Sequence, residues 1–185
     1  MFNLRSLLVY LCLLPLCFGQ KTPRKMVDVP IATSDGKVIH LQQYHGKVLM
    51  ILMMRTDCPE CHQMLDFLAK LQKDLGPRGF QAVAISLDPE YKVVKPFAER
   101  YRYPFPIGFL TPEPAIKFLD LKETAHPVIP YVLYIDWMGN VRFQYPGDAP
   151  IFREAEKNLF QIADGLLRQA AEKKGPQYET RPAGK

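Results

Sequence analysis

The sequence predicts an α/β protein with a mixed central sheet and helices on both faces. Three observations predict it. The apolar run 48–54 (VLMILMM) reads as a strand buried on both faces, and 80–87 (FQAVAISL) as a second buried strand. Apolar residues recur at helical spacing in 59–75 and 149–173. The clusters Ser34-Asp35-Gly36-Lys37 and Met138-Gly139-Asn140 carry turn chemistry between short extended segments.

The elements follow in order. Residues 27–41 read as short strands around the Asp35-Gly36 turn, and His45-Gly46 is a second turn leading into the central strand 47–54. A helix is expected over 59–75, with Met64, Phe67, Leu68, Leu71 and Leu75 inward and Pro59 at its first position, where the missing N–H costs nothing. Gly76 is its expected C-cap and Pro77 its stop. A second buried strand spans 80–87. A helical segment then starts afresh at Pro96, with Phe97, Ala98 and Tyr101 inward. Residues 103–109 read as extended, Thr111 as the N-cap of a helix through 121, and 122–130 as a loop. Strands 131–136 and 141–145 form a hairpin, and 149–173 is a long amphipathic helix with Ala155, Leu159, Ile162, Ala163, Leu166 and Ala170 inward.

The N-terminus is of another kind. Arg5 precedes the uncharged, almost wholly apolar run 7–18, and Cys17 and Gly19 are the small residues of a cleavage site between Gly19 and Gln20. This is a secretory signal pattern, so export to a periplasmic or other extracytoplasmic compartment is expected. Lipoprotein processing at Cys17 is the rival, and an uncleaved leader would be a membrane anchor. The expected organisation is signal peptide 1–19, flexible lead-in 20–26, one domain over 27–173 and a disordered, proline-bearing tail over 174–185. A hydrophobic content of 48% and a charged content of 23% suit a chain that buries a core. The net charge of +5 is spread without a long basic run, which excludes nucleic acid as the expected partner.

Of four cysteines, Cys12 and Cys17 leave with the leader, and only Cys58 and Cys61 stay in the domain. A bond closing so small a loop barely constrains the unfolded chain, which argues against a structural staple. The pair lies in Arg55-Thr56-Asp57-Cys58-Pro59-Glu60-Cys61-His62, between the central strand and its helix. There, free backbone N–H groups and the positive dipole end face the first sulfur and favour its thiolate. Three chemistries fit the string: a redox dithiol, covalent haem attachment through Cys-x-x-Cys-His, and a soft metal site with His62, Met53, Met54 and Met64. The α/β order favours the redox dithiol over a small, helical c-type cytochrome. The Met and Phe positions near the motif are expected in the core.

The strings DGKVIHLQQYHGKVLMILMM, CPEC and IPYVLYIDWMGNV together resemble the thioredoxin fold, and within it the exported TlpA/ResA-type thiol–disulfide oxidoreductases of the redoxin group, over 27–173. The resemblance implies that Cys58 and Cys61 form a redox-active disulfide, with no further cofactor and no bound metal. It implies that Ile129–Pro130 is a cis bond facing the dithiol and serving the client backbone. Disulfide-bearing client proteins and a membrane thiol donor are the implied partners. Asp57, Glu60 and Arg55 are expected to modulate the pair: the two carboxylates oppose the thiolate, and Arg55 offsets one of them. Two departures stand out. Asp57 replaces the usual aromatic residue, and Leu52 stands where thioredoxins place a buried carboxylate. Peroxiredoxins share the wider fold, but Ile51 and Arg55 replace the Pro and Thr of their Pro-x-x-x-Thr-x-x-Cys motif. Copper-delivering relatives separate their cysteines by three residues and add a distant His. With a spacing of two here, and His126 available in the loop before Pro130, copper binding or delivery is the alternative from a non-enzyme class.

Overall fold

A computed structural model describes residues 23–174. The chain runs β1 (Arg24–Lys25), β2 (Ile31–Thr33), β3 (Val38–Ile39), β4 (Val48–Met54), α1 (Pro59–Leu75), β5 (Phe80–Ser86) and α2 (Val94–Tyr101). It continues through β6 (Ile107–Phe109), α3 (Pro112–Leu119), β7 (Tyr131–Ile135), β8 (Asn140–Tyr145) and α4 (Ala155–Lys174). The eight strands form one sheet in the order β1-β8-β7-β4-β5-β6-β2-β3. β4 pairs parallel with β5 and antiparallel with β7, so the sheet is mixed, as expected.

The pleat explains the continuous apolar run. Alternate residues of β4 point to opposite faces, and every one of the seven is buried. Val48, Met50, Leu52 and Met54 face α1 and α4, where they meet Leu65, Leu68, Leu159 and Ala163; Val94 and Phe97 of α2 join the same layer. Leu49, Ile51 and Met53 face the other layer, with Ile31, Leu41 and Phe118 of α3. Each such side chain contributes about 1.5–3 kcal/mol relative to exposure. Helices therefore lie on both faces, three on one and α3 on the other.

Several expectations change at element ends. Gly76 is the C-cap of α1 as expected, but it is helical (φ −51°) rather than left-handed: a 3-10 turn continues through Gly76–Arg78, and Gly79 supplies the positive φ of 95°. α2 starts at Val94 rather than Pro96, because the turn before it already has helical geometry. Tyr101 is 38% exposed rather than inward. Thr111 is the N-cap of α3, but its side chain makes no capping bond. The last helix is two pieces, a 3-10 turn over Pro150–Glu154 and then α4, whose buried face also includes Leu167. Within the segment expected as a flexible lead-in, Arg24 and Lys25 pair with Val141 and Asn140 as the outermost strand. Lys174, expected in the tail, ends α4. The expected signal peptide 1–19 and the rest of the expected tail lie outside the described residues.

Tyr134 of β7 fixes α4 to the sheet. It is fully buried, and its hydroxyl donates to the Leu159 carbonyl at 2.7 Å. Burial raises its pKa well above the usual phenol value. Tyr134→Phe should therefore destabilise the fold by about 1 kcal/mol, because the Leu159 carbonyl loses its side-chain donor. Urea titration should show a lower midpoint with an unchanged slope; an unchanged midpoint would refute the role.

Candidate active site

β4 ends at Met54, and the chain turns through 55–58 into α1, placing Cys58 as the N-cap (φ −97°, ψ 111°). Cys58 and Cys61 are disulfide-bonded, with their Cα atoms 5.2 Å apart. Cys61 is fully buried and Cys58 only partly so, an asymmetry that leaves one sulfur open to attack. The Cys61 N–H donates to Cys58 Sγ at 3.2 Å. Once the bond is reduced, that donor and the helix terminus favour negative charge on Cys58.

The three residues expected to modulate the pair divide into an ion pair and a single charge. Arg55 grips Asp57 with both arms of its fork, Nε to Oδ1 at 2.9 Å and Nη2 to Oδ2 at 2.7 Å. This hydrogen bonding holds the Asp57 carboxyl below the ordinary range and offsets its charge. Glu60 is left exposed, with Oε2 3.8 Å from Cys58 Sγ. Its field opposes a thiolate there.

Two anchors hold the loop before Cys58: Asp88, which the sequence reading gave no role, and His62, which it offered only as a haem-motif or metal ligand. Asp88, buried at the end of β5, accepts from Thr56 N (3.0 Å), Thr56 Oγ1 (3.1 Å) and Ser86 Oγ (2.7 Å). His62 donates from Nε2 to the Thr56 carbonyl at 2.8 Å and meets Phe97 and Tyr101 edge-on. The signal for Asp88 was present: a lone acidic residue directly after a buried strand. Leu52 is fully buried in the apolar layer beneath the motif, so its position supplies no carboxylate to Cys61.

Tyr131 opens β7 opposite Met53, which brings the preceding Ile129–Pro130 bond to the same sheet end as the dithiol. That bond is cis, and Pro130 is buried. Gly147, in the turn after β8, lies against it: a Cβ there would stand 2.8 Å from the carbonyl carbon and oxygen of Ile129 and 3.1 Å from Pro130 N. The Gly147 N–H donates to the Val128 carbonyl at 2.8 Å. The dipeptide Pro146-Gly147 signals a turn but not this close approach. Glu60 and Pro130 line one groove of about 240 Å³ between α1 and the start of α4. Depressions of about 400 and 500 Å³ at the other end of the sheet contain no cysteine. His126, on an exposed loop, is not brought into any metal-ligand group: among the described residues, no three His, Cys, Asp or Glu side chains gather in such an arrangement.

The sequence pattern of the AhpC/TSA family matches residues 19–144. Among curated proteins, the chain is 24% identical to Glutathione peroxidase 7 of Mus musculus over 157 residues, covering 77% of this chain and 84% of that one. It is 29% identical to Thiol-disulfide oxidoreductase ResA of Oceanobacillus iheyensis over 73 residues, 40% of this chain and 38% of that relative's length. Among solved structures, a putative thiol:disulfide interchange protein DsbE from Chlorobium tepidum superposes with a TM-score of 0.65. That match is 23% identical and covers 78% of this chain and 99% of that one, which shows a shared fold.

Two predictions follow from the geometry. Gly147→Ala should push the turn off the Ile129–Pro130 peptide, costing about 1–3 kcal/mol in stability. It should lower exchange with a protein disulfide far more than alkylation of the reduced thiol by iodoacetamide; equal losses would separate Gly147 from the site. Glu60→Gln removes a negative charge beside Cys58, stabilises the thiolate and hence the reduced form, and should raise the reduction potential by on the order of 10 mV. Arg55→Ala leaves Asp57 uncompensated and should move it the other way in the same glutathione titration.

Proposed function

The chain belongs to the AhpC/TSA family, and from that premise we propose that it is an exported thiol–disulfide oxidoreductase that reduces the disulfides of client proteins. The observation that carries this reading is the asymmetric pair, with Cys58 partly open at a helix N-terminus and bonded to fully buried Cys61.

In the reduced protein the Cys58 thiolate attacks one sulfur of a client disulfide. The client's other sulfur leaves as a thiolate, and a mixed disulfide joins client and Cys58. Cys61 then attacks Cys58 and releases the second client thiol. Two electrons pass to the client, and the protein is left with the Cys58–Cys61 bond. The cis Ile129–Pro130 segment receives the client backbone as an added strand, so that the attacked bond lies in line with Cys58. A thiol donor at the membrane resets the pair. The charge of Glu60 beside Cys58 favours a less acidic thiol and therefore a reductant rather than an oxidant. The leader supports action outside the cytoplasm, in a compartment where client disulfides form and persist.

The similarity to a glutathione peroxidase favours one competing reading, in which a peroxide rather than a disulfide is attacked by Cys58. Against it, Arg55, at the position of the peroxiredoxin Thr, is occupied by Asp57.

The variants Cys61→Ser and Cys58→Ser test the assignment. Cys61→Ser should accumulate covalent, dithiothreitol-sensitive adducts with proteins of the exported compartment, and Cys58→Ser should not. The wild type should reduce insulin with dithiothreitol as donor, whereas its reduced form should consume hydrogen peroxide at least about 100-fold more slowly than it reacts with a protein disulfide. Adducts trapped through Cys61 would reverse the roles, and rapid peroxide turnover without insulin reduction would replace the function.

A further inference from the structure

The groove beside the dithiol has a composition that selects a particular side chain. Its inner lining is apolar: Met64 and Phe67 of α1, buried Pro130, and half-buried Phe152. Its polar lining is the exposed amide Gln63 and two carboxylates, Glu60 within the dithiol motif and Glu156 on α4, both exposed. Glu60 has no ion-pair partner among the described residues; Glu156 has only Lys70, at 3.8 Å. The volume of about 240 Å³ fits one large side chain and not a folded element. A slot with apolar walls and two carboxylates suits an aliphatic stem that ends in a cation.

We infer that this groove is a specificity pocket for a lysine or arginine side chain of the client. The inference rests on the oxidoreductase reading and deepens it by naming a substrate class: disulfides with a basic residue close to the attacked cysteine. The spacing is set by Glu60, whose carboxylate is 3.8 Å from Cys58 Sγ. A client chain extended across Ile129–Pro130 advances about 3.3 Å per residue, so a residue two positions from its cysteine projects on the same face and within reach of the pocket. The net charge of the chain, +5, works against this preference, so a cation preference would have to arise locally.

The experiment uses the reduced full-length protein and three peptides, X-Gly-Cys-Gly-X, with X as Lys, norleucine or Glu and the cysteine blocked by 2-nitro-5-thiobenzoate. Attack by Cys58 on the peptide sulfur forms the enzyme–peptide disulfide and expels the coloured thiolate, which reports the rate. Dipyridyl disulfide, small and neutral, is the reference. The Lys peptide should react about tenfold faster than the Glu peptide, with norleucine between them, and the ratio should shrink in molar salt. In Glu156→Gln the Lys-to-Glu ratio, read within the one variant, should fall to about threefold. Equal rates for the three peptides, or a ratio untouched by Glu156→Gln, would overturn the pocket and leave the oxidoreductase intact. A reduced protein inert toward every peptide and toward dipyridyl disulfide would overturn the oxidoreductase itself, and the pocket with it.

Discussion

The burial of β4 on both faces is the constraint on which the rest of the structure depends. A strand with no polar face can exist only between two helical layers, so its neighbours and their coverings follow from it. Its parallel partner β5 brings Asp88 to the sheet end where β4 stops, and its antiparallel partner β7 starts there directly after Pro130. The dithiol loop, the carboxylate that anchors it and the cis proline thus meet because three strands share one register. Shifting β4 by one residue would exchange its two faces and separate all three.

Upon that frame the chemistry is a contest of modest fields. The N-terminus of α1 and the Cys61 N–H draw charge onto Cys58, while Glu60 repels it. Asp57 would add to the repulsion, but Arg55 holds it in a two-pronged pair. If the proposed pocket holds, this neighbourhood bears both on how easily the thiol ionises and on which clients approach, since the carboxylate that opposes the thiolate also lines the groove. On the proposed reading, one side chain, Glu60, would both oppose ionisation of the attacking thiol and help to draw a basic client.

The sequence made the frame legible because it is written in local signals. Seven consecutive apolar residues, two cysteines three apart before a helical period, and an Ile-Pro pair at the start of a strand each point to one structure. The bounds of α1 were readable for that reason, whereas the cis bond at Ile129–Pro130 was implied only by the family resemblance of the strand that follows it. What escaped involves two distant stretches. Asp88 looks like the end of a strand until Thr56, 32 residues away, is seen to bond it. Gly147 looks like an ordinary turn residue until the cis peptide is packed against it. The misplaced start at Pro96 and the helical conformation of the Gly76 cap have another cause: 3-10 turns at Gly76–Arg78 and Tyr91–Val93 extend the helical path beyond what Gly and Pro punctuation suggests. The pocket carboxylates come from two helices about a hundred residues apart, and no periodicity relates them.

The pairing of Arg24 and Lys25 with the start of β8 has a bearing on reach. Asn140 and Val141 lie at the sheet end where β4 begins, so the chain enters the domain at the pole opposite Cys58. The seven residues of β4 separate those poles by about 23 Å. If the proposed leader were to stay uncleaved, its point of attachment would lie at the base of the domain, with the reactive sulfur at the far pole. On that proposed reading, clients would be met from the aqueous side, whereas any donor in the same membrane would have to reach past the flank of the sheet to recharge the pair.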